Sequence, residues 1–218
     1  MYGITLKVWG PYAMFCRPEM KVERVSYDVI TPSAARGILE AIHFKPAIRW
    51  VIDSLQVLRP IQFTNIRRNE VSEVISTNQI SKAMKGEYPI YLNANACRQQ
   101  RASLLLKDVA YTIKAHFEMT SRSGETDTPA KHYNIFLRRA RQGQCFNQPY
   151  LGCREFAANF ALVESDADVE PPIALTKDLG YMLYDIDFKR NNEPVFFRAQ
   201  LEDGIINIPE SLKGRVNQ

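Results

Sequence analysis

Apolar and polar residues alternate from the start of the chain. Ile4, Leu6 and Val8 fall on one side and Thr5, Lys7 and Trp9 on the other, which predicts a strand over 3–9 closed by Gly10-Pro11. Thr31 as N-cap and Pro32 at the first helical position then open a helix whose stripe is Ala34, Ala35, Ile38, Leu39 and Ile42, finished before Pro46. Residues 49–58 are strand-like and apolar on both faces, and Pro60 separates them from a short run, Ile61 to Ile66. Residues 67–103 are polar without a sustained period and read as an insertion or mobile excursion. The clearest strand follows, with Tyr111, Ile113, Ala115, Phe117 and Met119 facing one way and Thr112, Lys114, His116 and Glu118 the other. Thr128-Pro129 caps a second helix with the stripe Ala130, Tyr133, Leu137 and Ala140, ended near Gly143, and a strand between Tyr150 and Val163 comes next. This β-α-β-β-α-β order predicts an α+β fold. Residues 1–165 would form a ferredoxin-like, RRM-like domain with its insertion around 67–103. Residues 166–218 would form a small antiparallel β unit, a three-strand meander from Tyr181 to Ile208 turning at Asn191-Asn192 and Asp203-Gly204.

Composition narrows the class. With 218 residues, 45% hydrophobic and 24% charged, the chain can bury a core, and disordered or collagen-like classes are excluded. No apolar run reaches the roughly 18 residues that span a bilayer, and the N-terminus lacks a signal-peptide layout, so a cytoplasmic protein with no membrane partner is expected. Cys16, Cys97, Cys145 and Cys153 show no CxxC spacing and are expected to be thiols. A net charge of +4 is too mild to identify a nucleic-acid binder, but its distribution is uneven. From Lys131 through Arg138, Arg139 and Arg141 to Arg154 there is no acid, whereas acids crowd 164–170. Either a polyanion footprint or a solvated helix face fits that pattern.

Acid–base chemistry near neutral pH has three histidines to draw on, His43, His116 and His132. Arg36, Glu40 and His43 share one polar helix face. Lys114 and His116, two apart on a strand, project together with Glu118 next in the row. An ammonium beside an imidazole suits an incoming phosphate, with Lys on the developing charge and His moving a proton, although a satisfied surface ladder has the same spacing. His132, beside Lys131 in the first turn of the second helix, sits where the helix dipole favours an anion. No Walker A, Rossmann, HExxH or GxSxG pattern occurs, and the dispersed histidines imply no metal and no cofactor. Trp9, Tyr12 and Phe15 are the aromatics expected partly outside the core, where bases stack if RNA is the ligand.

Three blocks carry a resemblance: KVWGPYAMFCRPEMKVERVSYDVITPSAARGILEAIHFKP, LKDVAYTIKAHFEM and KHYNIFLRRARQGQCFNQPYLGCREF. In this order they resemble the d subtype of the Cas-five family of CRISPR-associated proteins, repeat-processing endoribonucleases of the RAMP superfamily. The resemblance runs from the first strand to about Phe160. It implies metal-independent cleavage of pre-crRNA at the repeat hairpin by a 2′-hydroxyl, after which the protein stays on the crRNA 5′ handle with the other surveillance-complex subunits. The family pattern of a Tyr, a Lys and a His falls here on His43-Phe44, Lys114 and His116. His116 or His43 would then be base and the other acid, with Lys114 stabilising charge. Lys131, His132, Arg138, Arg139, Arg141 and Arg36 would hold RNA. The alternative is a non-catalytic subunit that caps crRNA; a metal-dependent nuclease would need a carboxylate cluster that the sequence does not display.

Overall fold

The computed structural model describes residues 2–20, 22–188 and 190–213; residues 1, 21, 189 and 214–218 of the two expected units lie outside that description. The first strand, β1 (Gly3–Ala13), runs past Gly10-Pro11. Pro11 costs it nothing on its outer edge, because the neighbour on that side pairs only with Leu6 to Trp9. After the two-residue β2 (Arg24–Val25), α1 (Pro32–Ile42) begins where Thr31 Oγ1 accepts from the Ala34 N–H at 3.3 Å. It buries Ala35, Ile38, Leu39 and Ile42, four of the five residues of the expected stripe.

The chain then forms β3 (Ile48–Val57), β4 (Phe63–Val71), α2 (Thr77–Met84) and the 22-residue β5 (Arg98–Met119). Residues 67–103 are therefore not an excursion without structure. β4 pairs with the outer half of β5 from Phe63↔Leu106 to Val71↔Arg98, and α2, closed by a Ser76–Gln79 capping box, sits at the tip of this arm. No residue of β4 or α2 is buried. Residues 67–102 of this ribbon cover no core, and a ribbon that covers none has no reason to alternate. The arm does contact the body: Arg68 bonds Glu155 at 2.5 Å.

Thr128 caps α3 (Pro129–Arg141), which ends before the left-handed Gly143, and β6 (Asn159–Leu162) follows. The main sheet has the order β6-β1-β5-β3 through its centre, with every neighbouring pair antiparallel. Both helices cover one face of it. Trp50 of β3 packs against Phe136 of α3 with the rings tilted and their centroids 4.8 Å apart, and donates its indole N–H to the His43 carbonyl at the end of α1.

The tail departs from a three-strand meander. β7 (Lys177–Asp187) and β8 (Glu193–Leu201) form a two-stranded sheet around left-handed Asn191 and Asn192. The third strand, β9 (Ile205–Asn207), instead joins the main sheet beside β3. The turn at Gly204 makes that switch: its φ is +76°, and a Cβ there would stand 2.3 Å from the Ile173 carbonyl oxygen, so only glycine fits. Met182, Phe197, Ala199 and Leu201 of the hairpin belong to the same buried cluster as Leu6, Ile38 and Ile113, so the core is continuous across residue 165.

Candidate active site

Strand alternation puts Ile113, Ala115 and Phe117 of β5 under the helices, and Lys114, His116 and Glu118 on the opposite face of the sheet. Lys114 lies between Thr5 of β1 and Ser54 of β3, and makes no ion pair among the described residues. His116 Nδ1 is 2.9 and 3.0 Å from the two carboxylate oxygens of Asp53. Asp53 reaches it because the β3 register shifts between Ile52 and Ser54, a bulge that turns an extra side chain onto this face. A carboxylate only accepts, so Nδ1 carries a proton and Nε2 is the nitrogen left for a substrate; Glu118 Oε1 is 4.0 Å from it. Lys213 Nζ lies 3.0 Å from Asp53 Oδ1 and 2.6 Å from Glu210. Against a desolvation penalty, these two bonds hold its ammonium above the usual lysine range. The arrangement is an imidazole oriented by a carboxylate and recessed to 6% exposure, with two ammonium groups beside it.

His43 does not join it. It caps α1 on the helix side of the sheet, 2% exposed, with Nε2 3.1 Å from His132 Nδ1. His132 Nε2 in turn is 3.2 Å from Asp127 Oδ1. Burial first, then Arg139, His132 and Lys45, lower the His43 pKa to about 4. The expectation of one centre holding His43, Lys114 and His116 is thus corrected, since a sheet stands between the two imidazoles. His132 is likewise not at the surface. α3 buries His132, Phe136 and Ala140, a stripe one residue round from the expected one, because Phe136 and not Leu137 meets Trp50.

The remaining basic residues separate by partner. Arg36 bonds both Asp185 oxygens at 3.0 and 2.9 Å and Glu40 at 2.6 Å, which makes it a pin between α1 and β7 rather than an open cation. Arg139 donates to the Ile42 carbonyl at 2.7 Å, closing the C-terminus of α1. Arg141 forms a two-bond pair with Glu164, and Lys131 lies 3.7 Å from Asp127. Arg138 and Arg154 are exposed, with no ion pair among the described residues. Trp9 and Tyr12 are exposed as expected, whereas Phe15 is buried at 2% against Tyr111. Sequence reasoning missed Asp53 and Lys213: the first depends on the bulge, and the second is 97 residues downstream of His116. It also missed exposed Phe44, Phe146 and Tyr150, although two of these three lie within the acid-free stretch.

The sequence model of the family described as CRISPR-associated protein (Cas_Cas5) matches residues 3–209. A protein of Mannheimia succiniciproducens named CRISPR pre-crRNA endoribonuclease Cas5d is 55% identical over 94% of this chain and 94% of its own length. A Thermus thermophilus protein of the same name is 41% identical over 96% of this chain and 92% of its own. A crystal structure titled as a CRISPR-associated protein superposes with a TM-score of 0.70 at 22% identity, covering 99% of this chain and 96% of the other.

Proposed function

The chain belongs to the Cas5d family of CRISPR-associated proteins, and we propose that it cleaves pre-crRNA at the repeat hairpin through the His116–Asp53 pair. It is an endoribonuclease whose nucleophile is the 2′-hydroxyl 5′ of the scissile phosphate: the O2′–P bond forms as the P–O5′ bond breaks, and the departing 5′-oxygen takes a proton from water. His116 Nε2 takes the 2′-hydroxyl proton while Asp53 fixes the ring and stabilises the imidazolium that forms. Lys114, without an ion pair among the described residues, faces the charge that grows on the non-bridging phosphate oxygens. The observation that carries this reading is the hydrogen bond from His116 to Asp53 beside Lys114, which makes no ion pair among the described residues, on the sheet face opposite the helices. The strand order β6-β1-β5-β3 under two helices supports a ferredoxin-like RAMP domain. We place the protein in the cytoplasm, on the crRNA 5′ handle with the partner subunits of the surveillance complex.

Purified protein is expected to cut its repeat RNA in EDTA, leaving a 2′,3′-cyclic phosphate and a 5′-hydroxyl, and a deoxyribose at the nucleophile position should abolish cutting. His116→Ala should lower single-turnover cleavage by roughly 10²–10⁴-fold with little change in RNA affinity. Asp53→Asn should give a smaller loss, since the ring keeps a side-chain partner while the imidazolium that forms loses its counter-charge. Cleavage of the deoxy substrate would refute the internal nucleophile. The 6% exposure of His116 favours a second reading, the non-catalytic crRNA cap; tight binding with no cleavage under any of these conditions would establish that instead.

A further inference from the structure

On the helix side of the molecule, an open cleft of about 620 Å³ lies between the C-terminal half of α1 and the loop after α3. Its rim is aromatic. Phe44, Phe146 and Tyr150 keep 52%, 75% and 41% of their surface exposed. Burying such a ring is worth roughly 1.5–3 kcal/mol, so three of them left around one concavity mark a surface built to be covered. The walls are held in place: the backbone N–H groups of Phe146 and Asn147 both donate to the Ala41 carbonyl, at 2.9 and 3.0 Å, and Tyr150 pairs with Ala157. A second cavity of about 270 Å³ shares Gly37 and Tyr150 with the first and continues it along α1.

The polar groups decide what the cleft suits. Arg154 lines it without an ion pair among the described residues. Asn147 offers an amide able to both donate and accept, and the one carboxylate, Glu40, is already bonded to Arg36 at 2.6 Å. Stacking faces, an amide and an uncompensated guanidinium together fit a flat heteroaromatic ring on a phosphate chain better than an apolar peptide. The volume lies in the range of small-ligand sites and is too small for a duplex.

We infer that this cleft holds one unpaired nucleobase of the RNA substrate, stacked on Phe146 and Phe44, with Asn147 at the base edge and Arg154 at its phosphate. The inference rests on the RNA-processing reading above and adds a subsite to it. Because the cleft is on the helix side and His116 on the other face of the sheet, this base is not part of the scissile step; it contributes affinity and selects position, not rate.

The test uses the full chain and its repeat RNA carrying 2-aminopurine at each unpaired position in turn, with Phe146→Ala, Phe146→Leu and Phe146→Tyr. One position should change fluorescence on binding, and the change should vanish in the Ala and Leu variants and persist in Tyr. Phe146→Ala should weaken binding roughly 5- to 150-fold, the range for one base on one ring, with the saturating cleavage rate unchanged. An abasic site at the responding position should cost the same, and the two losses should not add. If the wild type binds and cuts the repeat but no position responds, or the losses add, the cleft is not a base site and a protein partner covers it. If the wild type neither binds nor cuts, the proposed function falls and the cleft assignment with it.

Discussion

His43 and His116 show how far one residue type can diverge within one chain. Each has an acid or imidazole neighbour at about hydrogen-bond distance, yet His116 meets a carboxylate and His43 meets His132, with Arg139 and Lys45 close by. Burial and these cations take the His43 pKa from 6.5 to about 4. Between those values the unfolded chain binds a proton that the folded one refuses. The stability due to neutral His43 is thus full above about pH 6.5 and is lost as the pH falls toward 4. In His43→Gln, which keeps a hydrogen-bonding group for His132, denaturation midpoints measured from about pH 7.5 down to about pH 4.5 should fall less steeply than in the wild type. Carboxylates held low by partners, such as Glu170 between Lys7 and Arg59, titrate alike in both proteins and cancel in the comparison. Parallel slopes would mean that His43 takes its proton in the folded state. Lys114 and His116 were legible as a pair because a strand has period two; Asp53 was not, because a bulge is invisible to a count of alternating positions.

At the scale of elements, legibility followed the core. β1, α1, α3 and the inner half of β5 each bury a face, so their apolar residues recur at the period of the element. The arm formed by β4, α2 and the outer half of β5 buries none between residues 67 and 102, and β9 has three residues, too few to show a period. The basic face of α3 was legible as charge but not as partners. Arg138 and Arg139, adjacent in sequence, do different work: one points to solvent, the other closes the end of α1 through the Ile42 carbonyl. Arg138→Ala should therefore weaken repeat-RNA binding and flatten its salt dependence by about one counterion, leaving the melting temperature unchanged. Arg139→Ala should lower the melting temperature, by about the 1–3 kcal/mol lost when a buried carbonyl loses its donor. Filter binding across a salt series, with thermal unfolding of each variant, separates the two. Equal binding losses would show instead that α3 presents both guanidinium groups to RNA.

For the whole molecule, the question is whether the chain divides near residue 165, where composition and charge suggest a boundary. In space, the acidic stretch folds back onto the basic body: Glu164 bonds Arg141, and Glu170 bonds Lys7 and Arg59. The β7–β8 hairpin lies against α1, Tyr27 Oη accepts from the Leu183 N–H at 3.3 Å, and β9 fills the edge of the main sheet. Cutting the chain there would strip Met182, Phe197, Leu201 and Ile206 from the common core and leave the Arg36 guanidinium without Asp185. Each large apolar side chain lost from a core costs about 2–5 kcal/mol, against a total stability of about 5–15 kcal/mol. The sum exceeds what the remainder can hold. Full-length protein should therefore unfold in one transition, with near-UV and far-UV circular dichroism coincident, and a chain of residues 1–165 should show no cooperative transition at all. Because a truncated chain can fail for lesser reasons, Leu201→Ala in the full chain is the sharper measurement. It should lower the single midpoint with both signals still superimposed, whereas a hairpin melting ahead of the main sheet would show that the boundary near residue 165 separates two independent domains.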